Sequence, residues 1–421
     1  MEKFVINGGK KLIGEIEVRG SKNAALPILC ATILTKEPCI ISNVPLIEDV
    51  LKLIDVLKLM GAEIEWLNER KIKITCRDIN PDKIPQHSIS KFRGAVLLWG
   101  ALLGRKDSFK TATPGGCVIG ARPLDTHIDA FRQMGVDVKE KSKFNYFKKF
   151  NIIDKNIFVT LDEFSVTGTE NVLLFASLIP QKVILRIADQ DYQVQELTKV
   201  LKKMGAKIKM GFHEFEIEGS KKLKGFTHEL VADPIEAGTF IIATLATKGE
   251  VLIKNVATEY LTLFLKKLKD FGANFEFPDK GSVKVLPSPK LCITKIQSLP
   301  YPGIHTDLQS PFGVLATQTK GSTMIHDPLY EGRLKYLEEL NKMGADIIFC
   351  DPHRAIVNGP VALRGIEVPS LDLRSGASLI IAGLVAQGTT TINNAYQVDR
   401  GYERIEERLQ KLGADIKRIT S

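Results

Sequence analysis

The stretch LQKLGADI, residues 409–416, decides the fold because it occurs in six versions along the chain. The other five are LKLMGAEI (57–64), FRQMGVDV (131–138), LKKMGAKI (201–208), LKDFGANF (268–275) and LNKMGADI (340–347). Each is typical of an amphipathic helix that ends at a left-handed glycine and is followed by a short strand. Successive glycines lie 74, 70, 67, 72 and 69 residues apart, so the sequence predicts six repeated units.

A second kind of helix, rich in small and apolar residues, is predicted in every unit. Examples are SKNAALPILCATIL (21–34), PIEAGTFIIATLATKG (234–249) and LRSGASLIIAGLVAQG (373–388). Because these segments are apolar around most of their circumference, we expect them to be buried, unlike the charged helices that end at the glycines. A β-branched strand follows most of them. Each unit therefore alternates helices and strands, which predicts an α/β fold.

The six units in 421 residues divide naturally into two domains of three units each. We place the N-terminal domain at 22–230 and build the C-terminal domain from 1–21 and 231–421. The boundary lies at Leu230–Asp233, where the third unit ends. The strand-like run LIGEIEVRG (12–20) precedes the first buried helix. We expect it to pair with the second domain, so that the chain crosses between the domains twice.

The composition is that of an ordinary globular protein, with 44% hydrophobic and 25% charged residues. No apolar run has the length of a signal peptide core or a membrane helix, so we expect a cytoplasmic location. The six cysteines form no CxxC pair, and a reducing compartment would keep them as thiols. The net charge of +9 suits nucleic acid, a membrane surface or small anionic substrates equally.

Polar and charged residues of the buried helices are concentrated in the first turn. These residues are Lys22, Asn23, Arg93, Ser165, Asp233, Glu236, Asp307 and Arg374. Helix N-termini carry unpaired N–H groups and a partial positive charge, so converging helix starts would suit a phosphate or carboxylate ligand. Helix capping is the alternative for Ser165 and Asp307. It does not explain Lys22, Arg93 or Arg374, because a cation at a helix N-terminus opposes the dipole.

The loops between the β-branched strand and the surface helix carry arginines in three units. They are Arg122 in PGGCVIGARP (114–123), Arg333 in LYEGR (329–333) and Arg400 in QVDRGYER (397–404). A single loop arginine is usually a solvated charge. Arginines at equivalent positions of repeated units instead favour a shared anion site.

Cys117 lies in the first of these loops, between glycines that let the backbone approach a ligand. A nearby cation and a positive helix end favour the thiolate, and here Arg122 and a helix predicted to begin at Pro123 would supply both. A reactive thiol is therefore one interpretation. The other is a small buried apolar residue, which we expect of the remaining cysteines, Cys30, Cys39, Cys76, Cys292 and Cys350.

The sequence contains no GxGxxG fingerprint, no P-loop and no HExxH motif. Its seven histidines are dispersed without the spacing of metal ligands. No metal and no other cofactor is therefore predicted.

These motifs resemble the UDP-N-acetylglucosamine 1-carboxyvinyltransferase family of enolpyruvyl transferases, which opens peptidoglycan precursor synthesis. The resemblance extends from GSKNAALPILCA (20–31) through PGGCVIGARP, TDLQ (306–309), YEGR (330–333) and LDLRSGASLIIAG (371–383) to DRGYERIEERLQKLGA (399–414). It implies two inside-out α/β domains of three repeated units each. It also implies that the enolpyruvyl group of phosphoenolpyruvate is transferred to the 3-hydroxyl of UDP-N-acetylglucosamine, with release of phosphate.

The same resemblance implies roles for individual residues. Phosphoenolpyruvate would be bound by Lys22, Asn23, Arg122 and Arg400. UDP-N-acetylglucosamine would be contacted by Asn23, Arg93, Arg122, Pro123, Leu124, Asp125, Thr126, Glu163, Phe164, Ser165, Val166, Asp307 and Leu329. The rest of the substrate cleft would be formed by Glu331, Arg333, Asp372 and Arg374.

The catalytic residues implied by the resemblance are Lys22, Cys117, Asp307 and Arg400. Asp307 would take the proton of the 3-hydroxyl. Cys117 matches the family's mobile-loop cysteine, which fosfomycin attacks. It would act as a proton donor, as a covalent carrier of phosphoenolpyruvate or in product release.

Four features depart from the family pattern. ADQDYQ (188–193) replaces a loop of the Arg-Glu-Pro-Glu type, and Pro234 replaces an arginine. His305 stands where proline is usual, and Glu163 where lysine is frequent near the uridine. Because of these departures, an alternative stays open: the chain could be a divergent or non-catalytic paralogue that binds a nucleotide-sugar.

Two other rivals have less support from the sequence. The related 5-enolpyruvylshikimate-3-phosphate synthases carry GDKS and NAGT segments that are absent here. An RNA-directed enzyme such as an RNA 3′-phosphate cyclase is suggested by the net charge alone. We therefore expect small-molecule substrates, no nucleic-acid or membrane partner, and a monomer.

Overall fold

The computed structural model describes residues 2–90, 92–115, 120, 123–150 and 155–420. Its helices are α1 Lys22–Ala31, α2 Glu48–Leu59, α3 Gln86–Ile89, α4 Leu97–Arg105, α5 Asp125–Gln133, α6 Val166–Ala176, α7 Tyr192–Met204, α8 Pro234–Ala246, α9 Thr262–Asp270, α10 Gln309–Ala316, α11 Tyr336–Lys342, α12 Leu373–Val385, α13 Tyr396–Asp399 and α14 Ile405–Lys411.

The strands alternate with these helices. They are β1 Glu2–Asn7, β2 Ile13–Glu17, β3 Cys39–Ser42, β4 Glu63–Asn68, β5 Lys71–Thr75, β6 Ser108–Ala112, β7 Val136–Lys141, β8 Phe144–Lys149, β9 Asn156–Thr160, β10 Lys182–Arg186, β11 Lys207–Met210, β12 Glu214–Glu218, β13 Thr227–Glu229, β14 Glu250–Lys254, β15 Asn274–Glu276, β16 Ser282–Leu286, β17 Lys295–Gln297, β18 Gly321–His326, β19 Asp346–Asp351, β20 Arg354–Gly359, β21 Glu367–Pro369, β22 Thr389–Asn393 and β23 Asp415–Thr420.

The six glycines of the repeated phrase all follow a helix and all have positive φ. The φ angle ranges from 77° at Gly135 to 111° at Gly205. A side chain would strain the backbone in this region, whereas glycine adopts it freely and turns the chain into the next strand. At the last repeat, Gly413 separates α14 from β23 in this way. The predicted helix ends are confirmed.

One compact unit, called unit A, is built from residues between Gly20 and Val231. Its helices α1, α4 and α6 pack against one another, and most of their residues are buried. Its sheets have the strand orders β13-β3-β5-β4, β6-β8-β7 and β11-β12-β10-β9. The small and apolar helices are therefore the core of the unit, as their composition predicted.

The other compact unit, unit B, combines residues up to Arg19 with residues from Ala232 onward. Helices α8, α10 and α12 pack pairwise, and every residue of α8 and α10 is buried. The sheets have the orders β15-β16-β14-β2, β17-β18-β20-β19 and β21-β22-β1-β23. Ile241, Phe312 and Ile380, one from each buried helix, belong to the hydrophobic core.

Two strands are exchanged relative to a simple repeat. In three sheets the strand before a buried helix pairs in parallel with the strand after it, as β9 does with β10, β17 with β18 and β21 with β22. By contrast, β2 precedes α1 but pairs with β14, and β13 precedes α8 but pairs with β3. The expected pairing of the first strand-like run with the second half of the chain is confirmed.

The strand β1 has a role that the sequence pattern did not predict. It pairs antiparallel with both β22 and β23 and so lies between two strands from the end of the chain. β1 is the third strand of the sheet β21-β22-β1-β23, and in the sheet β17-β18-β20-β19 the third strand is β20. The N-terminal residues thus complete the sheet of the sixth unit.

Some local predictions differ from the structure. Helix α5 begins at Asp125 rather than at Pro123. The reason is that the first helical hydrogen bond is accepted by the carbonyl of Leu124, whereas that of Pro123 accepts from the side chain of Arg93. Two segments interpreted as loops also contain helical turns, namely the 3-10 turn Arg333–Lys335 and helix α13.

Candidate active site

Asp307 lies between two arginines of unit B. It belongs to the 3-10 turn Thr306–Leu308, which leads directly into α10. Its Oδ1 accepts from Nη2 of Arg333, and its Oδ2 accepts from Nε of Arg374 over 2.9 Å. The turn is capped by His305, whose Nδ1 accepts from the backbone N–H of Asp307 over 3.0 Å. The capping interpretation of Asp307 is therefore wrong, and its carboxylate serves to pair with arginine.

The charge on Asp307 is stabilised by these neighbours. Burial alone would raise the pKa of Asp307, but the guanidinium groups of Arg374 and Arg333, with a smaller contribution from His305, hold it well below its usual range. A carboxylate in this environment is a weak proton acceptor. Asp307 can therefore become a base only when at least one of the two guanidinium groups engages another anion.

Asp372 and Arg374 lie at the start of α12. Oδ1 of Asp372 accepts from the backbone N–H of Arg374 over 2.8 Å and also caps the helix at Ser375. The same oxygen lies 3.9 Å from Nη1 of Arg333. The buried guanidinium of Arg374 lies 5.1 Å from the ring centroid of Tyr402. Both terminal nitrogens of this guanidinium are buried, and Tyr402 interacts with it by charge and by hydrogen bonding.

The remaining predicted residues of unit B are Leu329, Glu331 and Arg400. Leu329 and Glu331 are exposed. The backbone N–H of Leu329 donates to Oδ1 of Asp327 over 3.1 Å. Arg400 directly follows α13, and its Nη1 donates to Oε1 of Gln397 over 3.1 Å. The structure thus brings Asp307, Arg333, Asp372 and Arg374 into one cluster, while the contacts described for Leu329 and Arg400 are to other residues.

In unit A, Lys22 begins α1 and pairs with Asp49 of α2, the distance from Nζ to Oδ2 being 2.8 Å. Both side chains are buried. The helix is capped by Ser21, whose Oγ accepts from the backbone N–H of Ala24 over 3.2 Å. Lys22 is accordingly a paired, buried cation. Sequence reasoning missed Asp49, although an acidic residue on the apolar side of an amphipathic helix was a signal for it.

Three segments of unit A that were predicted to bind the nucleotide-sugar are connected by two side-chain contacts. Nη2 of Arg93 donates to the carbonyl of Pro123 over 2.9 Å. Oγ1 of Thr126 donates to Oε1 of Glu163 over 3.5 Å. The segments around residues 93, 123–126 and 163 therefore form one surface of unit A, to which Leu124 and the exposed Asp125 also belong.

Ser165 and Phe164 lie in the same surface region. Oγ of Ser165 accepts from the backbone N–H of Gly168 over 3.1 Å and so caps α6 just before Val166. The capping interpretation of Ser165 is confirmed. Phe164 is exposed, and its ring centroid lies 4.7 Å from that of His213. Asn23, the second residue of α1, is half-buried.

Cys117 and Arg122, two of the predicted site residues, lie outside the described residues. Of the other cysteines, Cys30, Cys39 and Cys76 are buried, and burial raises their pKa, to about 12 for Cys39 and about 11 for Cys76. These three are inert apolar residues, as expected. The expectation is wrong for Cys292 and Cys350, which are exposed. Cys350 is on the outward side of β19, an edge strand, and Cys292 is in a loop.

Two features are absent from the residues that the structure describes. Among them there is no group of three or more His, Cys, Asp or Glu side chains that could hold a metal ion. They also include no helix with the length and apolar character that crossing a membrane requires.

Similarity to known proteins decides the family. Residues 6–409 match the model of the EPSP synthase (3-phosphoshikimate 1-carboxyvinyltransferase) family. The chain is 39% identical to UDP-N-acetylglucosamine 1-carboxyvinyltransferase of Halothermothrix orenii, over 100% of both chains. It is 36% identical to the protein of the same name from Finegoldia magna, over 100% of this chain and 99% of that protein. The chain belongs to the UDP-N-acetylglucosamine 1-carboxyvinyltransferase family, as its motifs implied.

Solved structures show that the fold is that of the enolpyruvyl transferases. The enolpyruvyl transferase NikO from Streptomyces tendae matches with a TM-score of 0.90 and 22% identity, over 100% of this chain and 99% of that one. EPSP synthase from Acinetobacter baumannii matches with a TM-score of 0.77 and 18% identity over all of both chains. Identity this low shows a common fold alone, whereas membership of the UDP-N-acetylglucosamine 1-carboxyvinyltransferase family rests on the full-length relatives.

Proposed function

We propose that this chain transfers the enolpyruvyl group of phosphoenolpyruvate to the 3-hydroxyl of UDP-N-acetylglucosamine and releases phosphate. This is the first committed step of peptidoglycan precursor synthesis. The single observation that carries the proposal is the full-length identity of 36–39% to relatives of that name. The cluster around Asp307 agrees with it, because the reaction needs a carboxylate near the hydroxyl and fixed cations for anionic substrates.

The reaction consists of an addition and an elimination. In the addition, the 3-hydroxyl oxygen bonds to C2 of phosphoenolpyruvate, Asp307 takes the hydroxyl proton, and an acid protonates the methylene carbon. In the elimination, the new methyl group gives up a proton and the bond from C2 to the phosphate oxygen breaks, which leaves the enol ether product. The centre at C2 gains oxocarbenium character, so the surrounding charges must be fixed before the reaction begins.

We assign the anionic donor substrate to Lys22, Asn23, Arg122 and Arg400. Lys22 supports this role because it is a buried cation whose ion pair with Asp49 fixes its position. A phosphate or carboxylate that approaches Lys22 would share it with Asp49. We assign Cys117 to protonation of the methylene carbon, covalent capture of phosphoenolpyruvate or product release.

We assign UDP-N-acetylglucosamine to the residues that the family resemblance implies, among them Arg93, Thr126 and Glu163 and also Asp307 and Leu329. The contact of Arg93 with Pro123 and that of Thr126 with Glu163 give the surface of unit A a defined shape without substrate. Glu163 is already a hydrogen-bond acceptor for Thr126. It would therefore accept from the nucleotide, where a lysine would donate.

The ion pairs of Asp307 imply that substrate must bind before Asp307 can accept a proton. With both guanidinium groups paired to it, Asp307 is a poor base. An incoming anionic group that engages Arg333 or Arg374 would weaken one of these ion pairs and raise the proton affinity of the carboxylate. Substrate binding would in this way create the base that the addition step requires.

The proposal extends to cellular context and chain organisation. We infer a monomeric, cytoplasmic enzyme that acts on small molecules and has no nucleic-acid or membrane partner. We also propose domains at 22–230 and at 1–21 with 231–421, the first carrying the Cys117 loop.

A phosphate-release assay with both substrates tests the proposed function. We expect release only when phosphoenolpyruvate and UDP-N-acetylglucosamine are present together, and none when shikimate 3-phosphate replaces the nucleotide-sugar. Binding of UDP-N-acetylglucosamine without any phosphate release would instead identify a non-catalytic paralogue. Turnover with shikimate 3-phosphate would contradict the assigned acceptor.

A further inference from the structure

Asp327 is a fully buried carboxylate that connects two segments of the unit B site. It follows β18 directly. Its Oδ1 accepts from the backbone N–H groups of Leu329 over 3.1 Å and of Tyr330 over 3.3 Å. Its Oδ2 accepts from the hydroxyl groups of Ser298 over 2.9 Å and of Thr306 over 2.5 Å. Four hydrogen bonds use the full acceptor capacity of a carboxylate.

The position of Asp327 is itself fixed by the turn between β19 and β20. Its backbone N–H donates to the carbonyl of His353 over 2.8 Å. Nδ1 of His353 lies 2.7 Å from the carbonyl oxygen of Asp327. Main chain and side chain are therefore both held, and the carboxylate is a rigid point from which other groups can be oriented.

Thr306 connects Asp327 to Asp307 through hydrogen bonds. Because the Thr306 hydroxyl gives its only hydrogen to Asp327, its oxygen is left to accept, and it accepts from Nε of Arg333 over 3.2 Å. The same guanidinium donates through Nη2 to Asp307. A continuous chain of hydrogen bonds thus runs from the buried Asp327 through Thr306 and Arg333 to the carboxylate that we propose as the base.

We propose that Asp327 and Thr306 are positioning residues that fix the guanidinium of Arg333 against Asp307. The proposal rests on the function proposed above only where it concerns turnover. Neither residue is assigned to a substrate. They act on the reaction through Arg333. Its planar guanidinium must have one fixed orientation if one nitrogen is to pair with Asp307 while another bonds to Thr306.

Ser298 provides a matched control because it donates to the same oxygen of Asp327 as Thr306 does. The hydrogen-bond chain from Asp327 to Asp307 passes through Thr306 and Arg333 and does not include Ser298. Thr306→Val and Ser298→Ala each remove one buried hydroxyl bond to Asp327, so a purely structural role predicts similar effects from both. A positioning role predicts an effect on Arg333 from Thr306→Val alone. Thr306→Ser keeps the hydroxyl and should behave as the wild type.

The first experiment measures Arg333 directly in the intact, unliganded protein. In a sample labelled with 15N-arginine, the Nε–H resonance of Arg333 is assigned with Arg333→Lys, and its hydrogen exchange is followed. We expect Thr306→Val to shift the resonance and to speed exchange by about tenfold or more, because a buried acceptor is lost. Ser298→Ala and Thr306→Ser should leave both unchanged. An unchanged resonance in Thr306→Val would overturn the proposal, as would an equal change in Ser298→Ala.

The second experiment measures turnover in the same variants. We expect Thr306→Val to lower kcat by about tenfold with the KM for phosphoenolpyruvate nearly unchanged, since the substrate contacts remain and the base is misplaced. Ser298→Ala should keep kcat within about twofold. Equal losses of kcat in the two variants would also overturn the proposal. If the wild type releases no phosphate, the proposed function fails, while the resonance of Arg333 still decides the positioning role.

Discussion

Arg374 donates its Nε–H to Oδ2 of Asp307 over 2.9 Å, across 67 residues of sequence. Both residues belong to unit B, and Arg333 pairs with the other carboxylate oxygen. Asp307 is therefore a counter-ion in the free protein, and the same group is the proposed base in the reaction. This double role leads to the first prediction.

Asp307→Asn should lower kcat by about 10²–10⁴-fold, the usual contribution of a general base. It should also destabilise the protein, because two guanidinium groups lose their counter-charge, at a cost of about 3–5 kcal/mol for a broken buried pair. Phosphate release and urea unfolding measure the two effects. Asp346→Asn, on the exposed side of β19, is the control and should change neither. Wild-type kcat in Asp307→Asn would remove Asp307 from the mechanism.

The low pKa of Asp307 also predicts the acid limit of stability. A carboxyl group whose pKa is lower in the folded than in the unfolded state stabilises the fold above its unfolded pKa of about 3.9. This stabilisation is lost as the pH falls below that value. The unfolding free energy of the wild type should therefore fall more steeply below about pH 4 than that of Asp307→Asn. Parallel pH profiles of the two proteins would contradict the ion-pair description.

Glu170 should show the opposite pH dependence. It is buried in α6, and burial, followed by the charges of Asp191 and Asp189, raises its pKa well above the usual value. The stability associated with such a group is complete below the unfolded pKa of about 4.3 and declines as the pH rises toward the folded value. Glu170→Gln should therefore gain in stability relative to the wild type between pH 5 and about 8, measured by thermal unfolding. Glu218→Gln, at an exposed position, is the control, and a gain there as large as in Glu170→Gln would argue against this account.

The pair of Lys22 and Asp49 allows stability and activity to be separated. Lys22→Met should destabilise unit A by about 3–5 kcal/mol, because it breaks a buried ion pair and removes the cation that faces the Asp49 carboxylate. The double variant Lys22→Met with Asp49→Leu should recover most of that stability while remaining inactive. Urea unfolding and phosphate release measure the two properties. Activity in the double variant would show that Lys22 serves the fold and not the substrate.

Cys117→Ser tests the thiol. Turnover should fall by about 10²-fold or more if the thiol is the acid, and covalent labelling by fosfomycin should disappear. Cys292→Ser and Cys350→Ser, at exposed positions, should leave both properties unchanged. Labelling is read by the mass of the intact protein. Full activity in Cys117→Ser would assign protonation to another group.

The sequence was sufficient for the parts of the fold that depend on local pattern. Gly61, Gly205 and Gly413 end helices as predicted, because a left-handed helix end needs no distant contact to specify it. The apolar helices are buried for an equally local reason. The antiparallel pairing of β1 with β22 and β23 was not predictable, since period-2 alternation does not tell a strand which partner it will find.

The sequence named candidate site residues, but it did not show which residues they contact. Lys22, Asp307, Arg333 and Arg374 were identified by position and resemblance. The neighbouring carboxylates were not, because Asp49, which pairs with Lys22, and Asp327, which accepts from Thr306, are brought near by tertiary packing. The exposed Cys350 was misjudged for the same reason, since residue type alone does not show which side of a strand faces the core.

The central claim is the transfer reaction itself, and the most direct measurement is a time course of the wild-type protein with phosphoenolpyruvate and UDP-N-acetylglucosamine. Phosphate and the enolpyruvyl ether of the nucleotide-sugar are followed together by NMR. The account predicts that both appear in equal amounts and that neither appears when either substrate is omitted. Phosphate without the ether, or the nucleotide-sugar bound but unchanged after prolonged incubation, would contradict it.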